Sequence, residues 1–241
     1  MAAQMKESIE QAMLALRDDA QAKNLSRFFK TGKGEYGEGD RFLGIKVPQT
    51  RGVVAAHWRE CTLDDLDGLV ASPWHEMRLC ALLVLVQIFR HARKTPELRG
   101  QCVDFYLSHT RFINNWDLVD LSCYEILGVW LLDRDRSILY DLARCGKTIW
   151  EQRIGIVSCM QFARHGEFDD LLAVADILLH HEHDLIHKAV GWMLREVGKR
   201  DQARLEGFLL PRYAEMPRTM LRYAIEKFPE ELRMRYLKGT R

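Results

Sequence analysis

The sequence predicts an all-α fold, and three observations carry that prediction. Apolar residues recur at helical spacing from end to end, helix-start signals return at intervals as a polar residue often followed by proline, and no convincing alternating strand occurs in 241 residues. The predicted helices form pairs that recur every 35 to 40 residues, near the length of a HEAT-type pair. That period points to a right-handed α-solenoid with one continuous core and a concave face, and an irregular all-α globule is the alternative. The chain reads as one domain, with N-terminal helices over 1–30, a glycine-rich loop over 31–44 and helical-pair repeats over 45–241.

Taken in order, Met5, Ile9, Ala12, Met13 and Leu16 share one face of a first helix over 5–16, and a second short helix runs from Asn24 to Phe29. Glycines at 32, 34, 37, 39 and 44 then interrupt the pattern. Gly32, Gly34 and Gly37 have the spacing of a dinucleotide fingerprint, but that motif needs a strand before it and a helix after it, and here a helix precedes and a loop follows. Val47-Pro48 opens a helix to about Cys61, and Thr62 with Asp65 has the form of a capping box for the next. Ser72-Pro73 opens an apolar helix through Arg90, and Thr95-Pro96 opens another to about Leu107. Trp116 begins a run that continues through Leu132, followed by a helix from Ser137 to Cys145 stopped by Gly146. Thr148 caps a helix to Arg164, Glu167 to Leu179 follows, and Asp184 caps a helix to Lys199. The last helical segments run over 201–214 and 217–237.

Composition excludes several classes. With 47% hydrophobic and 29% charged residues and no biased tract, the chain is an ordinary globular protein. It has neither a signal-peptide pattern nor a run of 18 apolar residues, so a cytoplasmic protein without a membrane partner is expected. Its six cysteines lie in apolar helical stretches far apart, which predicts buried reduced thiols rather than a disulfide framework or zinc site. His183 and His187 are four apart, but no third ligand is evident, so surface or capping histidines are expected and no metal. The net charge of +1 hides an asymmetry: from Ile186 to Arg241 there are 13 Lys/Arg against 7 Asp/Glu, a net +6. Such a basic segment suits a polyanion, although solvated helix faces are often equally basic.

One constellation asks for a chemical explanation. Trp116 and Asp120, four apart, share a helix face, while Asp117 is expected to point elsewhere. Arg153 and Trp192 occupy matching places in the next two predicted pairs, 37 and 39 residues on, so stacked repeats would bring two indoles, a carboxylate and a guanidinium onto one surface. Singly, each has an ordinary structural explanation as a core indole or a structural ion pair. Together they suit cleavage of an N-glycosidic bond. A fixed carboxylate stabilises the oxocarbenium-like sugar and orients water, aromatic faces attract the cation, and arginine forks a phosphate.

The motifs around Asn115-Trp116-Asp117-Leu118-Val119-Asp120, Trp150-Glu151-Gln152-Arg153 and Ile186 to Glu196, with an early Phe42-Leu43-Gly44-Ile45 and Pro48, resemble those of the DNA alkylation repair family, the AlkD-type HEAT-like repeat DNA glycosylases. The resemblance covers about residues 24–225. It implies excision of N3- and N7-alkylated purines from double-stranded DNA by a monomer, with no metal or organic cofactor and no obligatory flipping of the base. It also implies a concave DNA-binding face, with Asp120 as the catalytic carboxylate, Trp116 and Trp192 packed on sugar and backbone, and Arg153 on phosphate and Asp120. Phe28, Lys30, Lys33, Arg41, Lys188 and Arg195 are the expected DNA contacts. Two departures from the family pattern bear on activity rather than fold: Phe28 stands where the family has a tyrosine, and a glycine-rich insertion spans Thr31 to Asp40. A DNA-binding relative without this excision activity, or a helical scaffold for a protein partner, are the other readings.

Overall fold

A computed structural model describes residues 2–241. The described residues are helical throughout and form no β-strand; an isolated bridge joins Arg41 to Trp74. None of their helices is long and apolar enough to cross a membrane. The chain divides into two compact units, Met1–Ser122 and Cys123–Arg241.

The first unit holds α1 (Ala2–Leu14), α2 (Asp19–Phe28), α3 (Val47–His57), α4 (Leu63–Val70), α5 (His75–His91), α6 (Pro96–Ser108) and α7 (Trp116–Asp120). Its centre is α5, buried from His75 through Leu79 and onward to Phe89 with a single half-buried break at Gln87. Helices α3, α4, α6 and α7 all pack on it. A helix apolar on every side has no stable place except the middle of a core. The capping box read from Thr62 and Asp65 forms: the Asp65 carboxylate accepts the Thr62 N–H at 2.8 Å, and the Thr62 hydroxyl accepts the Asp65 N–H at 3.4 Å.

Helix α7 is much shorter than the run predicted through Leu132. It ends at Asp120, and the chain continues as a π-helical turn at Tyr124–Gly128 and a 3-10 turn at Leu131–Asp133. The Ser122 hydroxyl donates to the Leu118 carbonyl at 2.5 Å, which diverts an acceptor that a continuing α-helix would use.

The second unit continues with α8 (Ser137–Cys145), α9 (Ile149–Ser158), α10 (Met160–Arg164), α11 (Asp169–Ile177), α12 (Asp184–Gly198), α13 (Gln202–Leu209), α14 (Arg218–Ala224) and α15 (Glu230–Lys238). Helix α12 is its centre, packed on α9, α13 and α14. Gly191 permits the approach of α14, because a Cβ there would meet the Met220 carbonyl oxygen at 2.6 Å and the Tyr223 Cβ at 2.5 Å.

Three expectations need correction in this unit, and one, on the cysteines, across both units. The helix expected from Thr148 to Arg164 breaks at Cys159, although Thr148 does cap it, accepting from the Glu151 N–H. His183, not Asp184, caps α12: its backbone is extended and its Nδ1 accepts the Leu185 N–H at 3.1 Å, leaving Asp184 as the first helical residue. The segment over 217–237 is two helices, since Pro229 has no N–H to continue the first and starts the second. Finally, four cysteines are buried as expected, but Cys61 is half-buried and Cys145, at the end of α8 opposite its buried Leu139 and Ala143, is exposed.

Candidate functional site

The site builds from the start of α7 outward. Asn115 is the extended residue before the helix, fully buried, and its side-chain oxygen accepts the Trp116 N–H at 2.9 Å. Starting the helix there puts Trp116, Asp117 and Asp120 on the wall of a 380 Å³ cavity inside the first unit. The opposite walls come from Leu25, Phe28 and Phe29 of α2 and its end, from Phe42 and Ile45 of the early motif, and from His75, Glu76 and Leu79 of α5. Aromatic rings dominate. Trp116 lies 5.2 Å from Phe29 at 26° and 5.9 Å from Phe28 at 70°, and Phe29 stacks on Phe42 at 5.1 Å. Phe28 closes the series with 63% of its surface exposed.

Asp117 does not point away from this cavity as expected. Residues three apart on a helix are neighbours, so Asp117 joins Asp120 on the wall. The Asp117 carboxylate accepts from His75 Nε2 at 2.8 Å, and His75 Nδ1 donates to Asp40 at 2.9 Å. Arg78 completes the network. Its Nη2 donates to Asp40 at 2.5 Å and to the Asn114 side chain at 3.0 Å, and its Nη1 to the Ser72 carbonyl at 2.8 Å. Two cations and two carboxylates thus compensate one another out of water. Burial opposes the charged imidazole, but the charge and hydrogen bond of Asp117, then those of Asp40, outweigh it and raise the His75 pKa to about 9. Burial likewise opposes ionisation of Asp40, yet the His75 hydrogen bond and the Arg78 charge hold its carboxyl below the ordinary value.

The early motif has its own anchor. The Glu76 carboxylate, 1% exposed, accepts the backbone N–H groups of Leu43, Gly44 and Ile45 at 2.8, 2.8 and 3.1 Å. Gly44 is held at φ +88°, and a Cβ there would stand 2.0 Å from the Asp18 carbonyl oxygen. Gly44→Ala is therefore expected to cost more than ~2 kcal/mol in chemical denaturation, combining left-handed strain with a backbone collision. A loss below ~0.5 kcal/mol would show that this cradle adjusts freely.

The glycine-rich segment, expected as a loop that carries DNA contacts, has a structural task in addition, because Asp40 belongs to the buried network. Among the expected DNA contacts, Lys33 is exposed on that segment and Lys30 just before it, with Lys30 at φ +52° and its ammonium 6.0 Å from the Tyr36 ring. Arg41 is exposed with its guanidinium 4.3 Å over Trp74.

The remaining expected site residues belong to the second unit. Arg153, 5% exposed on α9, donates to the Leu185 carbonyl at 2.6 Å, and Trp192 is half-buried on α12. On the same helix Lys188 pairs with Asp184 at 2.8 Å, and Arg195 pairs with Glu226. The neighbouring histidines serve as caps and ties, His187 meeting the His181 carbonyl, and among the described residues no group of three His, Cys, Asp or Glu is placed to hold a metal ion.

Sequence reasoning missed His75, Glu76, Arg78 and Asp40. A faint signal was present, since His75, Glu76 and Arg78 interrupt the start of the most apolar helix. Apart from the Ser72 carbonyl, their partners lie 31 to 42 residues away in sequence, where no periodicity reaches.

Comparison with known proteins points in one direction. A family model described as DNA alkylation repair enzyme matches residues 9–228. A solved structure described as a predicted DNA alkylation repair enzyme from Enterococcus faecalis has a TM-score of 0.68 at 15% identity, covering 89% of this chain and 97% of that chain. At that identity the likeness concerns the fold alone. No curated protein sequence matches the chain.

Proposed function

The chain belongs to the DNA alkylation repair enzyme family, and from that premise we propose that it is a DNA glycosylase that excises cationic N3- and N7-alkylated purines from duplex DNA by hydrolysing the N-glycosidic bond. The observation that carries the reading is the pairing of the Asp120 carboxylate with the Trp116 indole on the wall of one aromatic cavity. An alkylated purine is already a cationic leaving group, so the bond breaks with little proton assistance. What the protein must supply is stabilisation of the sugar cation, from a fixed carboxylate and from aromatic faces. Asp120 takes the first role and orients the attacking water. Trp116 and Trp192 pack on the sugar and backbone, and Arg153 supports the phosphate. Phe28, Lys30, Lys33, Arg41, Lys188 and Arg195 follow the duplex. HEAT-like pairing of the helices, a cytoplasmic monomer and a cofactor-free reaction complete the proposal.

A second reading is supported by Phe28, which offers a ring without the hydroxyl that the family pattern has at this place: a relative that binds DNA without excising these bases. Release of free 7-methylguanine and 3-methyladenine from methylated duplex DNA separates the two. Release well above the spontaneous rate is expected. Salt-sensitive DNA binding with release no faster than in buffer would leave the second reading.

A further inference from the structure

We propose that Glu226 is an internal stand-in for a DNA phosphate: it holds Arg195 while no nucleic acid is bound, gives up the guanidinium when a duplex arrives, and so keeps the grip on undamaged DNA weak. That Arg195 meets phosphate rests on the proposed function; that it is held for exchange rests on the geometry around it. Lys188, Trp192, Arg195 and Lys199 follow one another at intervals of four, three and four along α12 and its C-cap, so they form a stripe on one face. Each cation of the stripe meets a carboxylate. Lys188 pairs with Asp184 at 2.8 Å, Lys199 with Glu196 at 2.6 Å, and Arg195 with Glu226. The first two partners belong to α12 itself. Glu226 comes instead from the turn after α14, the helix that Gly191 lets pack closely on α12.

The Arg195 pair differs from a structural one. Arg136, in the same unit, shows the structural form: its Nε donates to the Leu131 carbonyl at 3.1 Å, its Nη1 to Asp170 at 2.7 Å, and its Nη2 to the Leu132 carbonyl at 2.9 Å and to Glu167 at 2.6 Å. Every nitrogen of that fork is engaged. Glu226 engages Arg195 through Nη1, and the buried Nε has no hydrogen-bond partner. The other Glu226 oxygen is taken by Lys227 at 2.9 Å, so this carboxylate cannot serve the fork with both oxygens. A phosphate can, and two-point binding is what a guanidinium does best.

The exchange strands nothing. Glu226 keeps Lys227 as its partner, and its side chain is 42% exposed to water, where an ion pair contributes little and is readily broken. Arg195 lies three residues from Trp192, so the exchange takes place beside the indole proposed to pack on sugar and backbone.

Fluorescence anisotropy of a labelled, undamaged duplex, titrated with the intact protein at several salt concentrations, tests this. Glu226→Gln keeps the shape of the side chain and should bind ~3–10-fold tighter at low salt, with the slope of log affinity against log salt steeper by up to ~0.9, the mark of one added phosphate contact. Removing a negative charge near DNA strengthens binding in general, so the deciding variant is a double one. In an Arg195→Gln background, Glu226→Gln should gain less than ~1.5-fold. A gain of the same size without Arg195, or no gain with it, overturns the stand-in. Absence of duplex binding by every variant overturns it together with the DNA contacts, whereas the expected gains without release of methylated bases keep it and sink only the glycosylase.

Discussion

Asp120→Asn lowers the release of 7-methylguanine and 3-methyladenine by ~10²–10³-fold, the usual effect of removing one electrostatic stabiliser of a transition state. Asparagine keeps the size of the side chain and removes only its charge. The fold should therefore hold, because α7 is started by Asn115 and tied down through Asp117. Parallel DNA-binding and denaturation measurements make the result specific. Binding within about threefold of the parent and stability within ~1 kcal/mol are expected alongside the lost release. Unchanged release in the variant would move the chemistry away from this carboxylate even if the glycosylase reading survived.

His75→Ala destabilises the protein by ~3–5 kcal/mol, because it leaves two buried carboxylates without the cation between them. In the parent the same interaction makes stability depend on pH. The imidazole pKa in the folded protein is about 9, above its ordinary value of 6.5. Folding thus favours the protonated ring, and the contribution is complete below pH 6.5, falls between 6.5 and 9, and is lost above that window. Urea unfolding at several pH values from 6.5 to 8, below the range where the buried thiols contribute, should show declining stability in the parent and a nearly flat profile in His75→Ala. His181 and His183 do not imitate the effect, since burial lowers their pKa values and their influence lies at and below 6.5 with the opposite sign. A decline that persists unchanged in the variant would place the titrating group elsewhere. Because Asp117 adjoins Trp116 at the start of α7, loss of this lock is also expected to reduce base release before the protein unfolds globally.

Helix positions were legible wherever the determinant was local. Thr62 with Asp65, Thr148 with Glu151 and Asp201 with Arg204 each satisfy a helix N-terminus from within three residues, so their spacing in the chain is their spacing in space. Trp116 and Asp120 could be paired for the same reason. Breaks caused by competing local bonds were harder. Ser122 reads as one more residue of an apolar helix until its hydroxyl is seen to take the Leu118 carbonyl.

From its residues alone this chain determined an all-helical fold, the caps at Thr62 and Thr148 and the placing of Trp116 and Asp120 on one helix face, because periodicity and capping act over one or two turns. Only the tertiary structure decided that His75 lies between Asp40 and Asp117, that Glu76 holds the Leu43-Gly44-Ile45 backbone, and that the glycine-rich segment supplies a buried charge. The physical reason is desolvation. A buried charge is tolerable only beside an opposite one, and which residues meet in that way is set by the packing of α5, α7 and the glycine-rich segment rather than by any spacing along the chain.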